Sequence, residues 1–244
     1  QNGVTAYRAK HTIELELTAA EERAQAVADA KGEPDYLLFP VRPQAAEGAL
    51  QKSAGLDLAI VVDASAATQP ASLAIARSAT QALLAHLGKD DRVAVWAGDA
   101  TLRPVSPGSE ILSAVDDARK EAIGSGLARV DRGGATDLGA ILAEAASKLP
   151  ADRRGAVVYV GDGRPTVGEL AVADLRERFS RLPRPVRLFG IGVGDDANMA
   201  ILKGIVRGGF AERVGDGFSA ARTALRLLEE AERPVWLGAS IDLG

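Results

Sequence analysis

Short apolar runs alternate with helix-like segments over most of the chain. The run at 56–62 is almost continuously apolar, which is typical of a strand buried on both faces of a parallel sheet. Helical spacing follows at 70–87 and ends at Gly88. Further strands are predicted at 92–96, 101–105, 156–160, 186–191 and 211–214, and further helices at 109–123, 137–149, 169–180, 198–207 and 219–231. The Gly98-Asp99 turn between the first two of these strands predicts an antiparallel hairpin. This alternation predicts an α/β fold, a Rossmann-like doubly wound and mostly parallel sheet with helices on both faces.

The first fifty residues and the last eleven follow a different pattern. Strict alternation at 13–17 and the apolar stretch 35–41 predict two strands. Between them, the capping-box spacing of Thr18 and Glu21 predicts a short helix over 19–31, with a polar hairpin connection as the alternative.

The tail at 234–243 alternates again, so we expect head and tail to pair into a small β-rich appendage; the alternative is a frayed terminal segment. We assign 1–50 to a β-rich flanking segment, 54–232 to the α/β domain and 234–244 to a strand that returns to the flanking unit. Residues 42–55 hold several Pro and Gly residues and are predicted to be a linker.

Composition narrows the classes of function. The 244 residues are 47% hydrophobic and 25% charged, which excludes wholesale disorder and coiled coil. No run of 18 apolar residues occurs, so we expect no direct membrane insertion. The net charge of −4 and the lack of a basic block argue against a nucleic-acid partner. Without cysteine, the chain has no disulfides, thiolate metal sites or cysteine nucleophiles.

Three loops at predicted strand ends are rich in oxygen ligands. Asp63 and Ser65 follow the first strand of the α/β region, Thr136 lies in a Gly-rich loop, and Asp162 follows the strand at 156–160. Carboxylates and hydroxyls without His or Cys are hard ligands, which favour Mg²⁺, Mn²⁺ or Ca²⁺. Taken singly, each loop is explained by a helix cap or a turn. The three together, in this order, favour a site.

In order and spacing, these loops resemble the metal-ion-dependent adhesion site of the von Willebrand factor type A family. That site is written Asp-x-Ser-x-Ser, then a Thr, then an Asp, and the chain supplies Asp63, Ser65, Thr136 and Asp162 at the matching places. The resemblance extends over residues 56–233. It implies a non-enzymatic protein-binding or adhesion module that holds Mg²⁺, or else Mn²⁺ or Ca²⁺. An acidic side chain of a protein partner then completes the coordination sphere of this metal.

The flanks resemble the inter-α-trypsin-inhibitor heavy-chain branch of that family. The matching features are a His-bearing strand around His11, the segment 34–38 before the domain, and the alternating tail. The branch implies an extracytoplasmic location, secreted or on the cell surface, and the Ala- and Arg-rich composition indicates a bacterial source. The chain begins at Gln1 without a signal-like stretch, so we expect a processed product.

One motif position departs from the family pattern. Ala67 stands where the second motif serine is expected and carries no oxygen. A water molecule would take the place of the missing hydroxyl ligand, or the metal would bind more weakly. Ala67→Ser should therefore tighten metal binding. Arg164 offers a rival outcome, because a guanidinium near the carboxylates would discourage a cation and leave a degenerate, metal-free structural scaffold. Asp137 is expected to cap a helix rather than to bind metal.

An enzymatic function is the remaining class. Two aspartates with Mg²⁺ could support phosphoryl transfer, but that chemistry also needs a base and phosphate-binding cations, and only Arg164 is suitably placed. The chain has no P-loop and no nucleophile elbow. We therefore predict a protein that is not an enzyme.

Overall fold

The structure, a computed structural model, describes residues 55–233 and two short strands nearer the N-terminus. The chain divides into two compact units. In the first unit, β1 (Gln25–Ala28) pairs antiparallel with β2 (Pro34–Leu38). The strand predicted at 35–41 is confirmed over 35–38, and residues 39–41 lie outside the described part of the chain. The helix prediction at 19–31 is wrong at 25–28, because backbone pairing with β2 outweighs the local capping signal.

Several predictions concern residues outside the described part of the chain. These are the strand at 13–17, the linker over 42–54, the tail at 234–243 and the pairing of head with tail. The domain boundaries that rest on them stay predictions.

The second unit contains a six-stranded sheet with the order β5-β4-β3-β6-β7-β8. Its strands are β3 (Leu56–Asp63), β4 (Arg92–Gly98), β5 (Leu102–Pro104), β6 (Arg154–Gly161), β7 (Arg187–Val193) and β8 (Ala211–Val214). All neighbouring pairs are parallel except β4 and β5, which form the antiparallel hairpin that the sequence predicted. All eight residues of β3 are buried, as its apolar run predicts for a central strand.

Helices cover both faces of this sheet. They are α1 (Pro70–His86), α2 (Asp117–Ala128), α3 (Leu138–Ser147), α4 (Val172–Ser180), α5 (Met199–Ile205) and α6 (Gly217–Glu232). One hydrophobic cluster joins α1, α2 and α6 to one face, and a second joins α3, α4 and α5 to the other. The predicted doubly wound α/β fold is therefore confirmed. Among the described helices, none is long and apolar enough to cross a membrane.

The helix expected at 109–123 begins later than predicted. Its first turn starts after Asp116, whose side chain accepts a hydrogen bond from the Arg119 backbone N–H and so caps α2. The preceding residues are held by the sheet instead, because Ser113 forms a bridge with Val93 and Ser109 Oγ donates to the Val95 carbonyl. These non-local bonds compete with helix formation over 109–116.

Candidate functional site

The carboxyl ends of β3 and β6 lie side by side at one edge of the sheet. The two strands are parallel neighbours, with Val62 opposite Val160. Asp63 is the last residue of β3, and Asp162 follows the last residue of β6. Ligand sites of open α/β sheets form at this edge.

Backbone hydrogen bonds join the Gly-rich loop to the loop after β3. Gly133 N–H donates to the Ala64 carbonyl at 2.9 Å, and Ala66 N–H donates to the Gly134 carbonyl at 3.1 Å. Gly134 has φ +75°, a backbone conformation that favours glycine. The loop bearing Thr136 is thus fixed beside the loop bearing Ser65.

Thr136 also connects to the loop after β6. Its backbone N–H donates to Thr166 Oγ1 at 2.8 Å, and its carbonyl accepts from Thr166 N–H at 2.9 Å and Val167 N–H at 3.2 Å. The residue is 1% exposed. The neighbouring Asp137 caps α3 by accepting from the Ala140 N–H at 2.9 Å, as the sequence predicts.

A buried cluster of oxygens follows β3. Asp63 Oδ1 accepts hydrogen bonds from the Ser65 backbone N–H at 2.8 Å and from Thr68 Oγ1 at 3.1 Å. Thr68 Oγ1 also lies 3.3 Å from Ser65 Oγ. The three residues are buried, whereas Ala67 is exposed. Sequence reasoning missed Thr68, which lies one residue beyond the motif.

The second residue that sequence reasoning missed is Tyr159 of β6. Its hydroxyl donates to Asp63 Oδ2 at 2.6 Å and accepts from the Gly163 N–H at 3.1 Å. Burial raises the pKa of Tyr159 well above its ordinary value, and the charges of Asp63 and Asp162 raise it further. The phenol therefore stays protonated and acts as a donor. The sequence signal was a polar-tipped residue in the otherwise aliphatic run predicted as a strand at 156–160.

Gly161 makes this contact possible. A Cβ atom at that position would lie 2.3 Å from the Asp63 Cβ atom and 2.6 Å from the Tyr159 hydroxyl. Both distances are shorter than real Cβ contacts allow. A residue without a side chain is therefore required at position 161, beside Asp63 and the Tyr159 hydroxyl.

Two backbone N–H groups hold Asp162, one at its side chain and one at its carbonyl. Its Oδ1 accepts from the Arg164 N–H at 2.9 Å, and its carbonyl accepts from the Asn198 N–H at 2.7 Å. Burial raises the pKa of Asp162 to about 6, and the negative charge of Asp63 adds to the rise. At neutral pH the sheet edge thus carries two buried carboxylates whose charges repel each other.

The guanidinium of Arg164 is paired with Asp196. Its Nη1 lies 3.2 Å from Asp196 Oδ2, and its Nη2 donates to the Asp196 carbonyl. The alternative in which Arg164 forms ion pairs with Asp63 or Asp162 is not seen among the described residues, where Asp196 is the carboxylate that Arg164 contacts. Arg164 lowers the pKa of Asp162 through its charge, but burial and Asp63 outweigh it.

The donor set fits a hard divalent cation. It consists of two carboxylates and the hydroxyls of Ser65, Thr68 and Thr136, all buried. Oxygen ligands of this kind suit Mg²⁺, Mn²⁺ and Ca²⁺ rather than zinc or copper. In the described part of the chain, no group of three or more His, Cys, Asp or Glu residues is placed to hold a metal. Any cation here would therefore depend on hydroxyls as well as carboxylates.

Comparison with known proteins agrees with this fold. The family model for the von Willebrand factor type A domain matches residues 56–211, or 156 of the 244 residues. The chain belongs to this family. No curated protein sequence matches it.

Solved structures show the same fold at low sequence identity. A von Willebrand factor type A protein from Catenulispora acidiphila superimposes with a TM-score of 0.64 at 20% identity, covering 73% of this chain and 43% of that one. This chain thus spans less than half the length of that relative. Proximal thread matrix protein 1 from the mussel byssus gives 0.55 at 15% identity, covering 72% of this chain and 48% of that one.

A third similar structure is an aerotolerance-related membrane protein from Bacteroides fragilis, with multiple mutations to serines. Its TM-score is 0.53 at 18% identity, and the match covers 72% of this chain and all of that one. Von Willebrand factor type A domains generally mediate protein interactions and often bind a divalent metal at their adhesion site. Family membership therefore indicates a protein-interaction module.

Proposed function

We propose that this chain is a non-enzymatic protein-binding module of the adhesion type. In this proposal Asp63, Ser65, Thr136 and Asp162 hold Mg²⁺ or Mn²⁺, and the partner protein presents an acidic side chain to the metal. The observation that carries the proposal is the pair of buried carboxylates at adjacent strand ends, with the nearby guanidinium of Arg164 engaged by Asp196.

Electrostatics explains why a cation suits this place. Burial, together with the repulsion from the negative charge of Asp63, raises the pKa of Asp162. A divalent cation removes that repulsion and leaves a local positive charge. When bound, it would attract a carboxylate of the partner, and the surrounding loops would set specificity.

The same residues give little support to the enzymatic alternative. Phosphoryl transfer needs a base and a cationic side chain directed at the phosphate. His86 lies at the end of α1, with its Nδ1 2.8 Å from the Ala82 carbonyl, and Arg164 faces Asp196. Neither is arranged for that chemistry, which supports a binding role.

Water proton relaxation of bound Mn²⁺ tests the open coordination position that the proposal requires. The full chain should enhance the relaxation rate of Mn²⁺ solutions, and acetate, the simplest analogue of an acidic side chain, should reduce the enhancement by displacing water. Glycerol at equal concentration is the control for non-specific effects. Enhancement that acetate leaves unchanged would contradict the acidic-partner proposal.

One observation favours a second candidate, a metal-free structural scaffold. Both oxygens of Asp63 accept hydrogen bonds from protein donors, namely the Ser65 N–H, the Thr68 hydroxyl and the Tyr159 hydroxyl. Such a carboxylate is stabilised without a metal. If this candidate is right, the unfolding temperature of the full chain will be the same in EDTA and in excess Mg²⁺.

We further propose an extracytoplasmic location, secreted or at the cell surface, in the inter-α-trypsin-inhibitor heavy-chain branch. The flanking resemblance around His11 and the tail supports the branch. The likeness to a membrane protein and to a byssus protein supports the location. Protease treatment of intact cells that express the full-length protein tests it, since an external domain is digested without lysis.

A further inference from the structure

Thr68 lies one residue beyond the motif position that Ala67 occupies, and its side chain points into the oxygen cluster. We infer that Thr68 supplies the hydroxyl ligand that Ala67 lacks, so that the site is complete in an altered register. The inference rests on the proposed function, since it concerns a ligand of the proposed cation site.

Burial separates the two residues clearly. Thr68 is 4% exposed, whereas Ala67 is exposed. The reason is a turn closed by a hydrogen bond of 3.1 Å from the Thr68 N–H to the Ser65 carbonyl. Ala66 and Ala67 occupy the two central positions of this turn and face solvent. A hydroxyl at position 67 would therefore point outward, and one at position 68 points inward.

The spacing of the oxygens matches the edge of a coordination octahedron. Neighbouring ligands of Mg²⁺ lie about 2.1 Å from the ion at right angles, which puts them about 3 Å from each other. Thr68 Oγ1 lies 3.1 Å from Asp63 Oδ1 and 3.3 Å from Ser65 Oγ. The slightly wider spacing also accommodates Mn²⁺ or Ca²⁺.

The hydrogen bond from Thr68 to Asp63 does not compete with metal binding. A hydroxyl has one donor hydrogen and two acceptor lone pairs. Thr68 donates its hydrogen to Asp63 Oδ1, so Ser65 Oγ at 3.3 Å engages at most one of its two lone pairs and the other is left for a cation. Donation to a carboxylate also makes the hydroxyl oxygen more electron-rich and hence a better ligand.

The backbone holds Thr68 in this position. Nη1 of Arg132 donates to the Thr68 carbonyl at 2.6 Å, and Ala66 N–H is bonded to the Gly134 carbonyl. Arg132 therefore binds the outer side of the loop, and the Thr68 hydroxyl is fixed on the inner side. No backbone change is needed for the hydroxyl to contact a cation.

Four variants of the full chain test this inference by Mn²⁺ titration calorimetry. Thr68→Val keeps the shape and removes the oxygen, so it should weaken Mn²⁺ binding about ten-fold. Thr68→Ser keeps the hydroxyl and should bind within about two-fold of the wild type. Ala67→Ser should also change affinity less than about two-fold, because that position faces solvent. Thr80→Val is the matched control, a buried threonine of α1 that bonds to the Ala76 carbonyl.

A spectroscopic measurement separates ligation from mere support of the loop. Pulsed electron paramagnetic resonance counts the water molecules bound to Mn²⁺, and Thr68→Val should add one relative to the wild type. If Thr68→Val does not fold, Thr68→Ala and Ala67→Ser provide the same test. Tightening of about ten-fold by Ala67→Ser, or unchanged affinity and water count in Thr68→Val, would overturn the inference. Absence of Mn²⁺ binding by the wild type would instead overturn the proposed function.

Discussion

The hydroxyl of Tyr159 donates a hydrogen bond of 2.6 Å to Oδ2 of Asp63. The bond links the ends of two adjacent central strands and supplies a neutral donor to a fully buried carboxylate. Because the same hydroxyl accepts from Gly163 N–H, it also fixes the start of the loop after β6. Tyr159 therefore positions Asp63 directly and holds the backbone of the residue that follows Asp162.

Removal of this hydroxyl should destabilise the protein most strongly when metal is absent. Tyr159→Phe leaves Asp63 with one donor fewer, and we expect the free energy of unfolding in EDTA to fall by about 1–3 kcal/mol. Urea denaturation of the full chain measures this change. Saturating Mg²⁺ should reduce the loss, because the cation then stabilises the carboxylate. An unchanged free energy of unfolding in EDTA would show that the bond contributes nothing.

The pattern of residues along the chain was sufficient to predict the fold and part of the candidate site. The apolar run of β3 predicted a central buried strand, and the Gly98-Asp99 turn predicted the antiparallel hairpin. The motif spacing selected Asp63 and Asp162, which the structure puts at the ends of neighbouring parallel strands.

Contacts that depend on side-chain direction could not be predicted from the pattern. Whether position 67 or 68 faces the cluster is decided by the turn after Ser65. The Tyr159 contact depends on the register of β6 against β3 and on the space at Gly161. The direction of the Arg164 side chain was also missed, because Asp196 comes from a loop distant in sequence.

The raised pKa of Asp162 gives a pH dependence of known sign. Its pKa is about 6 in the folded chain against an ordinary 3.8. Between these two pH values the folded state therefore keeps a proton that the unfolded chain has lost. In EDTA its contribution to stability is therefore largest below about pH 4, falls as pH rises, and is lost above about pH 6. At about 1.4 kcal/mol per pH unit, the whole loss is at most about 3 kcal/mol.

Asp162→Asn should remove this dependence. The variant should be more stable than the wild type in EDTA at pH 7.5 by about 1–3 kcal/mol, and the difference should vanish near pH 4. Urea denaturation across this pH range measures it, with the exposed Asp131→Asn as the control. A wild type that is more stable than Asp162→Asn at pH 7.5 in EDTA would show that the two carboxylates do not repel each other.

Arg164 offers a direct test of the rival interpretation of the site. Because its guanidinium contacts Asp196, Arg164→Ala should change Mn²⁺ affinity by less than about three-fold, in the tightening direction, since a nearby positive charge is removed. Arg178→Ala, which breaks the ion pair with Glu169, is the matched control. Titration calorimetry that finds more than ten-fold tightening in Arg164→Ala would mean that the guanidinium occupies the place of the cation.

The close packing around Gly161 can be tested by adding a single methyl group at this position. Gly161→Ala puts a Cβ atom 2.3 Å from the Asp63 Cβ atom, so the two strand ends must move apart. We expect the free energy of unfolding to fall by about 1–3 kcal/mol or more, from overpacking. At Gly133 an added Cβ atom meets nothing within 4 Å, which makes Gly133→Ala the control. Equal urea midpoints for the two variants would be inconsistent with the close packing of Tyr159 and Asp63.

Calorimetric titration of the full chain and of its Asp63→Ala variant with Mn²⁺ and Mg²⁺ tests directly whether this site holds a divalent cation. We expect saturable binding of one ion per chain by the wild type and by the exposed control Asp131→Ala, and loss of that binding in Asp63→Ala. A wild type that binds neither ion, or an Asp63→Ala variant that binds both as tightly as the wild type, would contradict this expectation.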